Sequence, residues 1–104
     1  MAWNMKVEFS KPFIKAASKL SGKLKQSLQS AILEVEKAKN VNEITDCKKL
    51  IDFNYTYRIR VGSYRAFFTF HVQIKNDKAI FQYLLKRGEA YDKKNEEKLR
   101  QKDV

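Results

Sequence analysis

Tyr57-Arg58-Ile59-Arg60-Val61-Gly62-Ser63-Tyr64-Arg65-Ala66-Phe67-Phe68 is the stretch on which the fold turns. Up to Val61 it alternates strictly, the period of a strand. Gly62-Ser63 follows, with glycine at the first loop position as a type II′ hairpin turn prefers. A two-residue turn sets the register: Val61 opposite Tyr64, Arg60 opposite Arg65, Ile59 opposite Ala66 and Arg58 opposite Phe67. Side chains alternate across a strand. Tyr57, Ile59, Val61, Tyr64, Ala66 and Phe68 therefore share one face, suited to packing on helices. Arg58, Arg60, Arg65 and Phe67 share the other.

The second face is energetically odd. Directly opposed like charges destabilise a sheet by up to about 1 kcal/mol. No acidic residue falls between Phe53 and Asn76 to offset Arg60 and Arg65. An anionic ligand would resolve the conflict, because guanidinium groups grip phosphate in bidentate fashion. Carboxylates from elsewhere in the chain, such as the last helix, would resolve it equally. Phe67 has the same two readings. Exposed beside arginines it could stack on an unpaired base, or it could pack under the terminal helix.

Toward the N-terminus, Val7-Glu8-Phe9 alternates as a short strand. Ser10 can cap a helix that has Pro12 in its first turn. Phe13, Ala16, Ala17 and Leu20 recur at helical spacing, and Ser21-Gly22 ends that helix. Leu24, Leu28, Ala31, Ile32, Val35 and Ala38 form the stripe of a second, longer helix. The two should form an αα-hairpin with one apolar seam. Lys11, Lys15 and Lys19 repeat every fourth residue on a different face, and no acidic residue occurs between Phe9 and Glu34. They form either a solvated face or a phosphate-contacting patch. Residues 40–46 are polar and read as a loop.

Toward the C-terminus, Tyr64 to Val72 is the returning strand, and Lys75-Asn76-Asp77-Lys78 a second turn. Ala79 to Leu85 is almost continuously apolar, as a central strand buried on both faces would be. Asp92 to Val104 is highly charged and reads as a terminal helix. The expected class is α+β: an N-terminal strand, a helical hairpin, a three-stranded antiparallel meander and a C-terminal helix. One domain covers residues 5–104, with residues 1–4 as an extension ahead of it.

Composition narrows the function. The chain has 104 residues, 43% hydrophobic and 12% aromatic, enough for one modest core and one domain. Its 22 basic and 12 acidic residues leave a net charge of +10, which favours an anionic partner. The single cysteine, Cys47, excludes a disulfide framework and suits a reducing compartment; it reads as a small core filler. The single histidine, His71, excludes a multi-histidine metal site. No apolar run approaches the ~18 residues of a membrane span, and no signal peptide is visible. A cytoplasmic protein without a membrane role is expected.

The paired basic strands, Tyr57 to Arg65, resemble the "G-x-Y-R" hairpin of the RelE/ParE superfamily of type II toxin–antitoxin toxins. Lys86-Arg87-Gly88-Glu89-Ala90-Tyr91 resembles that family's late "R-x-x-x-Y" segment, and the order of elements agrees. The resemblance covers Met5 to Tyr91. It implies a toxin that inhibits translation as a metal-independent mRNA interferase, an endoribonuclease cutting messenger RNA in the ribosomal A site. It also implies the alternative of a ParE-like inhibitor of DNA gyrase; an inactive member that only binds RNA or a partner is a third reading. By position, the implied catalytic residues are Arg58, Arg60, Arg65, Arg87 and Tyr91; the charge and parity readings above add Lys11, Lys15, Lys19 and Phe67 as expected RNA contacts. The implied partners are an acidic antitoxin, mRNA and the ribosome, with no cofactor and no metal.

Metal-free cleavage of RNA needs a base for the ribose 2′-OH, charge stabilisation at phosphate and an acid for the leaving oxygen. Arginines meet the second need but not the first, because guanidinium does not deprotonate in proteins. Some family members carry lysines where this chain has Arg58 and Arg60, so the base is open. Tyr91 is one candidate, since nearby cations favour a phenolate. His71 titrates near neutrality, but six residues of strand put it roughly 20 Å from Arg65.

Overall fold

The computed structural model describes residues 6–39, 41–71 and 78–103, with Phe70 and His71 for their backbone alone. The turn expected at Lys75-Asn76-Asp77 and the extension at residues 1–4 lie outside them. The order is β1 (Lys6–Phe9), α1 (Lys11–Ala17), α2 (Gly22–Lys37), a 3-10 turn (Val41–Glu43), β2 (Cys47–Lys49), β3 (Thr56–Val61), β4 (Tyr64–His71), β5 (Lys78–Lys86) and α3 (Lys93–Lys102). The mixed α+β class stands. The expected meander is the centre of a wider, five-stranded sheet, ordered β1-β5-β4-β3-β2. β1 joins β5 in parallel, and the remaining neighbours are antiparallel.

The hairpin register is the one its turn dictates, with Val61 opposite Tyr64 and Arg60 opposite Arg65. Gly62 has φ +58, the left-handed conformation a type II′ turn needs at its first loop position. A Cβ there would also lie 2.7 Å from Leu24 Cδ2. β5 carries a bulge, because Tyr83 pairs with Phe67 while Phe81 pairs with Phe68. Gln82 is the extra residue, and its buried amide donates to Thr69 Oγ1 at 3.2 Å.

Each face of the sheet has its own cover. On one side lie α1 and α2. Ser10 starts α1: its hydroxyl oxygen accepts from Phe13 N at 3.2 Å, while its own amide donates to Phe81 O at 2.9 Å. The helix is thereby pinned to β5. Phe13, Leu28, Ala31 and Val35 meet Ile59, Val61, Ala66, Phe68 and Phe81 in the main core, with Cys47 and Tyr57 at its margin. Both helices direct their apolar stripes at the sheet. The expected seam between them is an open apolar cleft instead, lined by Phe13, Ile14, Leu28 and Ile32.

On the other side lies α3. Asp92 caps it, accepting from Asn95 N at 2.9 Å. Its buried Leu99 packs with Phe53, Phe67 and Ala90 in a second, smaller cluster. A composition that suggests one core thus supplies two unequal ones, because a sheet between helices has two apolar faces to cover.

The candidate RNA-binding and cleavage face

Parity places Arg58, Arg60, Arg65 and Phe67 on the α3 face of the sheet, as the hairpin pattern predicts. Phe67 is not available to a base, however. It is fully buried, and Tyr91 meets its ring edge-on at a centroid distance of 6.3 Å. The stacking role expected for Phe67 is therefore corrected. α3 and the segment before it cover the sheet here, and an aromatic flanked by Phe53 and Leu99 gains more from burial than from water.

The candidate residues form two adjoining rows. In the first, Lys48 of β2 lies directly opposite Arg58 of β3, which lies opposite Phe67 of β4. Tyr91, 59% exposed, stands over Phe67. In the second, Arg60 lies opposite Arg65, and Arg65 opposite Leu85. Arg87 follows β5 and is tied to the hairpin turn, its amide donating to Ser63 O at 2.8 Å. The rows are about 7 Å apart, two residues along a strand.

Burial divides the arginines. Arg60 and Arg87 are exposed, while Arg58 and Arg65 retain only 9% and 8% of their surface. Arg65 Nη1 donates to Gly62 O at 3.1 Å and to Tyr64 O at 2.9 Å, so this side chain also clamps the turn. The second reading of the arginine face, neutralisation by carboxylates, is not realised among the described residues. The ion pairs there join Glu8 to Lys6 and Lys78, and Glu96 to Arg100. Other carboxylates are engaged by backbone amides: Glu34 by Thr45, Glu43 by Lys39, Asp92 by Asn95 and Asp103 by Asn54 and Tyr55. The cationic face thus keeps its charge, while these four acids serve loops and helix ends.

Beside the first row opens a cavity of about 330 Å³. Lys48, Lys49, Arg58, Tyr91 and Glu96 give it a polar wall, and Phe53 and Leu99 an apolar one. Lys48 was not singled out by the sequence. Its only local signal is a lysine pair in a three-residue strand, and the pairing with Arg58 is a tertiary fact. Cys47 faces the opposite way, toward the main core. Burial pushes its thiol up to about 12, and the Arg58 guanidinium offsets this only in part.

Lys11, Lys15 and Lys19 are exposed on and just after α1. They lie on the far side of the sheet from the arginine rows and do not join them. Among the described residues, no three His, Cys, Asp or Glu side chains gather as metal ligands, and no helix is long and apolar enough to cross a membrane.

No family model matches the chain. It is 33% identical over 89 residues to Toxin RelE3 of Methanocaldococcus jannaschii, covering 85% of this chain and 97% of that protein. Among solved structures it is similar to the RelB-RelE antitoxin-toxin complex from Methanococcus jannaschii, at 29% identity and TM-score 0.65 over 82% of this chain and 95% of that one. It also matches the fold of a mutant of Escherichia coli toxin RelE in the free state, at 18% identity and TM-score 0.71 over the whole of both chains. A basic hairpin, a late arginine–tyrosine pair and this degree of likeness lead to one conclusion: the chain belongs to the RelE toxin family.

Proposed function

We propose that this protein is the toxin of a type II toxin–antitoxin pair, and that it cleaves messenger RNA on the ribosome without a metal. The observation that carries the reading is the arginine face, a set of guanidinium groups gathered on one side of a sheet without carboxylate partners among the described residues. Opposed like charges on such a face cost stability, and its guanidinium groups are suited to grip an anion. Arg58, Arg60 and Arg65 hold the phosphate that is cut. Arg87 stabilises the charge that develops on it. Tyr91, exposed at the cavity mouth, acts as base or orients the ribose. Lys11, Lys15 and Lys19 contact phosphates of a different part of a large RNA, since the sheet separates them from the cut.

An acidic antitoxin fits the same surface. The net charge of +10 attracts a negatively charged segment, and such a segment would cover the arginines. The RelB-RelE complex among the similar structures supports this pairing. The protein works in the cytoplasm, where translating ribosomes are.

The test is mRNA cleavage in a translating extract. Wild type should cut within the message, and Arg60→Ala, which alters an exposed side chain, should reduce the rate by 10-fold or more. Equal cutting by both, or no cutting by wild type, overturns the assignment. Inhibited DNA supercoiling with translation untouched would point to gyrase, and harmless overexpression to an inactive binding member.

A further inference from the structure

Resting on the nuclease reading above, we propose that Lys48 is the catalytic residue that takes the proton from the ribose 2′-OH. The arginines cannot do so, because a guanidinium keeps its proton in any protein environment. A lysine differs from an arginine in having an accessible neutral amine form, which can take a proton. β2 supplies that chemistry beside the phosphate grip. Lys48 is the direct cross-strand neighbour of Arg58, so their Cα atoms are about 4.5–5.5 Å apart and their side chains rise from the same face. Both line the cavity that Tyr91 also lines.

Position selects Lys48 from its neighbours. Lys49 touches the same cavity but pairs with Tyr57, whose side chain belongs to the helix face. The groups around Lys48 are Arg58 from β3, Lys49 from β2 itself, Tyr91 from the segment before α3 and Glu96 from α3. Glu96 is engaged by Arg100, its Oε1 lying 3.1 Å from Nη2. Lys48 is exposed, so a ribose can reach it.

The step balances without a metal. The Lys48 amine accepts the 2′-OH proton, and the 2′-oxygen bonds to phosphorus. The bond from phosphorus to the 5′-oxygen of the next nucleotide breaks, and that oxygen takes a proton from a water molecule while Tyr91 orients the ribose. The products are a 2′,3′-cyclic phosphate and a 5′-hydroxyl. The Lys48 ammonium then returns its proton to the hydroxide so formed, which restores the amine and the water. Arg58 and the second row neutralise the phosphorane oxygens throughout.

Lys48→Arg separates base from charge, because it keeps the cation and the grip on phosphate. The readouts are ribosome-dependent cleavage under single-turnover conditions, its pH profile, and binding to a message whose 2′-OH at the cut site is replaced by hydrogen. The expected result is a 10²–10⁴-fold slower cut by Lys48→Arg, with binding within 3-fold of wild type. The acidic, rising limb of the wild-type pH profile, which reports deprotonation of the base, should be altered in what activity remains. Exchanging the two side chains, Lys48→Arg with Arg58→Lys, should recover at least 10-fold over Lys48→Arg alone, because the pair shares one cross-strand site. Cutting by Lys48→Arg within 3-fold of wild type overturns the proposal and leaves the nuclease reading intact. Failure of wild type to cut overturns the nuclease reading itself.

Discussion

Asp103 holds the far end of α3 to the strand below it, and removing its carboxylate should loosen the roof of the candidate site. Its oxygens accept from Asn54 N at 2.7 Å, Tyr55 N at 2.6 Å and Thr56 Oγ1 at 2.9 Å. Thr56 is 1% exposed, so Asp103→Ala leaves a buried hydroxyl without its acceptor, at about 1–3 kcal/mol. The two amides are exposed and recover hydrogen bonds from water, so each adds only about 0.5 kcal/mol. The sum is about 2–4 kcal/mol, which moves a urea midpoint by roughly 1–2 M. Amide exchange at Asn54 and Tyr55 should accelerate with it. Asp103→Asn keeps an acceptor but not the charge, and should lose about half as much.

The effect depends on pH in a determined direction. Burial, the largest single influence on this carboxyl, pushes it up, but the bonds from Asn54, Tyr55 and Thr56 together hold it below its ordinary value. A group depressed in the folded state stabilises above its unfolded pKa, about 3.9 for Asp, and that stability fades as pH falls through the folded value. The gap between wild type and Asp103→Asn should therefore be constant at neutral pH and narrow below about pH 4. Variants within 0.5 kcal/mol of wild type at pH 7, or a gap that widens in acid, would refute this account of α3 docking.

Phe67→Ala should cost about 3–5 kcal/mol, since it empties a fully buried aromatic site. Phe67→Leu should restore most of that stability and cleave like wild type; a Leu variant that folds but does not bind RNA would revive the stacking role. Arg60→Gln should stabilise the hairpin by several tenths of a kcal/mol, because it relieves the opposition with Arg65, while weakening RNA binding; lower thermal stability would count against the like-charge argument. Cys47, with its thiol pushed up to about 12 by burial against partial relief from Arg58, should be alkylated at pH 8.5 about 10²–10³-fold more slowly folded than unfolded. Labelling rates within tenfold of each other would contradict its burial.

How much of the site was legible depends on how far apart its parts lie in the chain. The arginine register could be read directly, because Gly62-Ser63 is a local device and strand parity does the rest. Arg87 and Tyr91 were found through family resemblance, and the structure brings Arg87 to the turn through Ser63 and Tyr91 over Phe67. Phe67 had two readings because parity names a face without naming what covers it. Lys48 passed unnoticed because three residues carry too little periodicity to announce a strand.

By itself the sequence determined the alternation of Tyr57 to Val61, the type II′ turn, the Ser10 cap and the family, since each rests on neighbours within a few positions or on motif order. Tertiary structure alone decided that α3 buries Phe67, that β2 sets Lys48 against Arg58, and that the sheet parts Lys11, Lys15 and Lys19 from the arginines. The physical reason is common to all three. A side chain's direction is set by its own backbone, but its neighbours across a sheet are set by distant segments competing to bury apolar area and to satisfy hydrogen bonds.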